Sequence, residues 1–312
     1  DSANASRDEK IPFTAEELIP SQSKEGLDMK HLKAIMQESS CYTAPIFGWH
    51  SVQTFAMAAG VLADLEAEKE EAVRYRADQK KYQEIADHMK EAIQKGVIRE
   101  DGSMPSELMG AYVLPLYFDL VPERHRQKFA DSLVRSIEKN DGCMDTGFLA
   151  TPYLLDALCR IGRTDLAYEL LWQKKQPSWL YEVDAGGTTI WENVYGYDET
   201  GNPGNLSFNH YAFGAVADWM FRYIGGIRTE DAGYRHILIA PKPDGRLTRA
   251  KRTFLSSQGR ITCDWRIGRR GEEQVFYMQA EIPCNTKATI RLPDGREEQV
   301  GSGRYEFEAN IV

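Results

Sequence analysis

The 312 residues of the chain are enough to bury a large core, and 42% hydrophobic with 27% charged residues is the balance of an ordinary globular protein, not of a disordered or fibrous one. A formal net charge of −9 excludes a general nucleic-acid binder, whose phosphate contacts need clustered positive charge. No apolar run reaches the roughly 20 residues that would span a bilayer.

Residues 1–40 are polar and weakly periodic, with Pro12 and Pro20 as breaks, and read as an irregular N-terminal segment. Residues 41–232 are helical in character. Phe55, Met57, Ala58, Val61, Leu62 and Leu65 mark one apolar face, and Tyr82, Ile85, Ala86, Met89 and Ile93 mark the next. Further helices are predicted at about 107–120, 123–139, 149–161, 164–174 and 208–224. Gly96, Gly142 and Gly162 stand at their ends, Pro122 at a first turn, and Thr164 or Ser207 as caps. Helices joined by short loops with no strand between them point to an all-α array of hairpins.

From 233 to 312 the texture changes to short runs bounded by turns, among them His236–Ala240, Gly259–Arg266, Val275–Ala280, Ala288–Leu292 and Arg304–Glu308. These predict a closing antiparallel β-sandwich, with Trp265 in its core. The basic stretch Lys242–Arg252 reads as solvated loop surface. Cys41, Cys143, Cys159, Cys263 and Cys284 form no CxxC pair, which argues against zinc and dithiol chemistry and for reduced, mostly buried thiols. Such thiols lean towards a cytoplasmic protein. The chain starts at Asp1 with no Met, so removal of a leader stays open, and with it a periplasmic or secreted setting.

The chemistry concentrates between Gly186 and Gly214. Gly187-Thr188-Thr189-Ile190-Trp191-Glu192 puts a carboxylate after an indole. Eighteen residues later His210 lies within Ser207-Phe208-Asn209-His210-Tyr211-Ala212. Sugar-cleaving sites need an acid or base, aromatic faces and polar groups for hydroxyls. Taken singly, each residue has a plainer reading. Glu192 could be an ion-paired structural carboxylate, and His210 a hydrogen-bonded core residue. Trp191 could be packing, while Trp179, in a loop with Tyr181, is evenly balanced between core and sugar platform. Trp49, His50 and Asp145 sit at expected loop ends beside helices, where structural roles come first.

Together with Thr146-Gly147-Phe148-Leu149, Gly162-Arg163-Thr164-Asp165-Leu166-Ala167-Tyr168, Pro177-Ser178-Trp179-Leu180-Tyr181 and Gly233-Tyr234-Arg235-His236-Ile237-Leu238-Ile239, these motifs give the chain its resemblance to the C-terminal part of glycoside hydrolase family 78 α-L-rhamnosidases, from about residue 45 onward. The resemblance implies the second half of an (α/α)6 barrel followed by the β-sandwich. It also implies inverting release of terminal α-L-rhamnose from a glycoside or oligosaccharide. Glu192 then matches the general base and His210 a rhamnose contact, with Trp191, Trp179 and Trp49 as further candidates for substrate binding. Inversion places a second carboxyl roughly 6.5–9.5 Å away as proton donor. The family's Asp-x-x-Arg-x-Glu-Arg acid motif is missing from this sequence, and Asn193-Val194-Tyr195-Gly196 stands where Arg, Trp and Asp are commoner. The expectation is a fragment of a longer enzyme, with a degenerate, non-catalytic carbohydrate-binding protein and a helical scaffold as the alternatives. No cofactor, nucleic acid or membrane is called for, and no compact calcium loop is present. An open half-barrel would expose apolar helix faces, so self-association, or pairing with a missing N-terminal half, is expected.

Overall fold

The computed structural model describes residues 29–197, 201–204 and 206–310, with side chains from residue 33. The breaks at Pro12 and Pro20 lie outside these. Two compact units divide at Phe213 and Gly214.

The first unit is helical. Helix α1 (Met29–Leu65) pairs with α2 (Lys69–Gly96). Residues 29–40, expected to be irregular, are therefore helical, and Pro45 does not end the helix. Pro45 removes one backbone hydrogen bond, but the buried side chains of Ala34, Glu38, Tyr42, Ile46 and Trp49 continue one stripe past it at helical spacing. Tertiary burial outweighs the breaker.

The apolar face expected on this helix is also corrected. Phe55, Met57, Val61, Leu62 and Leu65 are exposed, whereas Ala56, Ala59, Gly60 and Ala63 face inward. Small residues allow the α2 backbone to come close: a Cβ added to Gly60 would lie 2.5 Å from the Gln79 side chain. The antiparallel pairing is fixed by reciprocal Gln53–Gln83 amide bonds of 3.2 Å and by Phe55 against Tyr82, with ring centroids 4.4 Å apart.

Helix α3 (Met109–Tyr117) is buried along almost its whole length and is flanked by α4 (Arg126–Lys139) and α5 (Thr151–Arg160). Phe129, Ala130, Leu133 and Ile137 form the inward stripe of α4. Gly162, at φ 81°, turns the chain from α5 into α6 (Thr164–Trp172), a conformation that glycine adopts without a Cβ penalty. Helix α7 (Trp179–Asp184) follows. Its N-cap is Ser178, whose hydroxyl accepts the Tyr181 N–H at 3.1 Å.

In the second unit, α8 (Val216–Trp219) runs into a π-helical turn (Met220–Ile224), and two four-stranded sheets follow. One has the order β1 (Ile227–Thr229), β2 (His236–Ile239), β6 (Lys287–Arg291), β7 (Glu297–Val300). The other has the order β3 (Arg249–Ser256), β4 (Gly259–Arg270), β5 (Glu273–Ile282), β8 (Gly303–Asn310). All pairings are antiparallel except β2 with β6. Trp265 is fully buried as expected, and its Nε1–H donates to the Ile224 carbonyl at 2.7 Å. The basic stretch is only partly loop. Arg249–Arg252 belongs to β3, and the Arg252 guanidinium donates to the carbonyls of Phe221 (2.7 Å) and Ile227 (2.6 Å). Of the five thiols, Cys143 and Cys263 are buried, Cys159 is half-buried, and Cys41 and Cys284 are exposed, so fewer are buried than expected.

Candidate functional site

The helix predicted over 208–224 begins only at Ala212, as a 3₁₀ turn. Residues 206–211 are instead laid alongside the Thr189–Glu192 segment. The Glu192 N–H donates to the Ser207 carbonyl (2.8 Å), the His210 N–H donates to the Ile190 carbonyl (2.8 Å), and the Thr189 hydroxyl donates to the Phe208 carbonyl. Ser207 does not cap a helix. Its hydroxyl closes a local turn by accepting the Asn209 N–H at 3.0 Å. Backbone pairing thus holds the Glu192 and His210 segments side by side.

Glu192 is half-buried, and its Oε2 accepts the Ser207 N–H at 2.9 Å. Among the described residues Oε1 has no protein hydrogen-bond partner. One oxygen is therefore fixed by the backbone. His210 is also half-buried. Its Nδ1 accepts the Ala212 N–H at 3.3 Å, which assigns the proton of the neutral ring to Nε2.

Trp191 is buried, and Tyr181, Tyr197 and Phe208 meet it edge to face at 5.0–6.3 Å. Gly196, at φ 56°, lies close against it: an added Cβ would come within 2.1 Å of the indole. Trp179 is buried too and lies in the first turn of α7, not in a loop; its Nε1–H donates to the Phe213 carbonyl at 2.9 Å. Trp49 sits in mid-helix in α1 and packs against Phe118 at 6.2 Å, so it opens no helix. These three indoles are interior, and the site gathers Trp191 and Trp179 but leaves Trp49 in another cluster. Asp145 touches solvent, yet the surrounding protein crowds its carboxyl and pushes its pKa up. Burial first, then the Asp145 charge, raises Tyr195 to about 12.

Two participants carry weak sequence signals. Phe148 stacks on His210 with centroids 4.8 Å apart and planes 16° apart, a contact invisible at a separation of 62 residues. Glu182 is only 2% exposed. Its Oε2 accepts the Trp191 N–H at 3.3 Å, its Oε1 has no hydrogen-bond partner among the described residues, and burial raises its pKa to about 7. A charged residue in a helical Tyr-Glu-Val-Asp run reads as surface, so only the fold reveals it.

Helical hairpins that hold a carboxylate and a histidine on paired connecting segments, with a β domain after them, have the form of a hairpin glycosidase. Residues 33–224 match the model of the bacterial alpha-L-rhamnosidase six-hairpin glycosidase domain, and residues 226–307 match that of the bacterial alpha-L-rhamnosidase C-terminal domain. The chain belongs to this bacterial α-L-rhamnosidase family. It is 38% identical over 241 residues to an α-L-rhamnosidase of Streptomyces avermitilis, covering 76% of this chain and 23% of that protein. To one of Formosa agariphila it is 35% identical over 254 residues, covering 80% and 26% respectively. The chain thus spans about a quarter of the length of these relatives.

Among solved structures, the S. avermitilis α-L-rhamnosidase complexed with L-rhamnose superposes with a TM-score of 0.71 at 34% identity, covering 83% of this chain and 26% of that one. The Aspergillus terreus enzyme gives 0.72 at 34% identity, covering 81% and 29%.

Proposed function

We propose that this chain carries the water-activating side of an inverting α-L-rhamnosidase site. Glu192 holds and deprotonates the water that attacks the anomeric carbon. His210 donates from Nε2 to the rhamnose. The proton donor is a carboxylic acid outside the motifs of this chain, which is read as part of a longer enzyme.

The observation that carries this reading is the Glu192 carboxylate itself. One oxygen is pinned by the Ser207 N–H at 2.9 Å while Oε1 is unpartnered among the described residues. A general base needs a fixed orientation and a lone pair to spare. The buried Trp191 and Trp179 serve by packing, holding the Glu192 segment from behind.

Two measurements test it. Calorimetry of the whole chain with L-rhamnose is expected to show binding. Turnover of 4-nitrophenyl α-L-rhamnoside, with an upstream acid-bearing half supplied in trans, is expected to fall about 10²–10⁴-fold in Glu192→Gln while L-rhamnose affinity changes little. Wild-type turnover in that variant removes Glu192 from the mechanism. Binding without any turnover favours the second reading, a non-catalytic carbohydrate-binding protein, for which the missing acid motif speaks.

A further inference from the structure

Helix α7 ends in a turn that brings the chain back past its own Glu182. Gly186, at φ 85°, takes the left-handed conformation. Its N–H donates to the Val183 carbonyl (3.0 Å), and the Gly187 N–H donates to the Glu182 carbonyl (2.8 Å). Gly187 must be bare to make this return, because an added Cβ would stand 2.8 Å from the Glu182 carbonyl oxygen and 3.1 Å from the Trp191 indole nitrogen. The chain then runs on to Trp191, whose N–H donates to Glu182 Oε2 at 3.3 Å. Backbone and side chain of one residue thus hold both ends of the stretch that leads into Glu192.

The hydrogen bonds of that stretch point to two opposite edges. The Ile190 carbonyl accepts the His210 N–H and the Glu192 N–H donates to the Ser207 carbonyl, both at 2.8 Å. Trp191, between them, points its N–H the other way, as alternate residues of an extended chain do, and meets Glu182 where a second strand would otherwise lie. Both Trp191 and Glu182 are buried, so bulk solvent does not reach this bond. Without an acceptor at position 182 the Trp191 N–H would be left buried and unpaired. The stretch would then shift to find a partner, at the expense of its pairing with residues 207–210.

We propose that Glu182 is a positioning residue for the base: it holds the stretch from Gly187 to Trp191 against the Ser207–His210 segment and thereby sets where the Glu192 carboxylate stands. Being buried, Glu182 acts through Trp191 and not on the sugar. This rests on the reading of Glu192 as the base.

The test is amide hydrogen exchange of the full chain at a fixed pH, read residue by residue by NMR. Glu182→Leu fills the space but accepts nothing. In it the Glu192 and His210 amides should exchange about 3–10-fold faster than in wild type, the equilibrium worth of one hydrogen bond, while Leu133 in α4 and Trp265 in β4 keep their rates. Glu182→Gln keeps an oxygen for the Trp191 N–H and should restore wild-type exchange, a rescue that a role in packing alone would not require. If Glu182→Leu does not fold, Glu182→Met, straight-chained like glutamate, carries the same expectation. Faster exchange at Trp191 alone overturns the proposal, as do unchanged rates at Glu192 and His210 or an equal rise at Leu133. Exchange is blind to turnover, so the two readings fail separately. Undiminished turnover in Glu192→Gln removes the base and the proposal with it, whereas a null exchange result beside lost turnover removes only the part of Glu182 in placing that base.

Discussion

Glu182 shows how one buried carboxyl can tie the fold to pH. Its ordinary pKa of 4.5 is raised to about 7 by burial, against which the Trp191 N–H gives only partial relief. A carboxyl that holds its proton more tightly when folded contributes its full stability below pH 4.5. That contribution is lost as pH climbs through about 7. A rise of that size corresponds to a few kcal/mol at most. Glu182→Gln keeps an oxygen for the Trp191 N–H but cannot ionise. Its melting temperature is expected to decline less than that of wild type between pH 5 and pH 8, as followed by circular dichroism. Parallel declines in the two proteins would mean that Glu182 does not titrate in this window. At this scale the two motifs were legible because the neighbours of Glu192 and His210 are distinctive, and their segments do pair in the fold. Glu182 and Phe148 stayed hidden because each acts through a contact that no local pattern encodes.

Elements were legible where periodicity and punctuation agreed. Helices α3 to α6 fall within two residues of their expected starts apart from α4, which is preceded by a 3₁₀ turn over Glu123–His125. Strands β1, β3 and β7 were missed, the first and last because they are short and β3 because its basic residues masked a strand that half-buries every second side chain. Helix α1 departs from its hydrophobic pattern for a physical reason. Large apolar residues at helical spacing suggested the core face, but the buried stripe is Ala56, Ala59, Gly60 and Ala63. Close backbone approach to α2 is what those small side chains permit, and size rather than hydrophobicity decides which face turns inward. Substitutions separate the two assignments. Ala59→Leu should destabilise by about 1–3 kcal/mol through overpacking, while Leu62→Ala should stay within about 0.5 kcal/mol, as exposed positions do. Urea denaturation measures both, and the reverse order of costs would put the large residues back in the core.

For the molecule as a whole, the same inversion leaves an apolar stripe facing water. Val61, Leu62 and Leu65 are all exposed on α1 at spacings that place them on one side of the helix. A soluble protein seldom leaves such a stripe uncovered, and a concentrated solution of the chain offers its own copies as cover. The net charge of −9 opposes association at long range but is screened beyond about 8 Å at physiological salt, so it does not cancel a short-range apolar contact. The chain is therefore expected to self-associate reversibly, with sedimentation coefficients rising with concentration and with added salt. Leu62→Glu combined with Leu65→Glu adds like charges to the middle of the stripe, where neither side chain supports the core. That variant should sediment as a monomer at concentrations where wild type does not, with its helical circular dichroism intact. Unchanged association in the double variant would move the contact to another surface. Monomeric wild type at every concentration would mean that the stripe tolerates water.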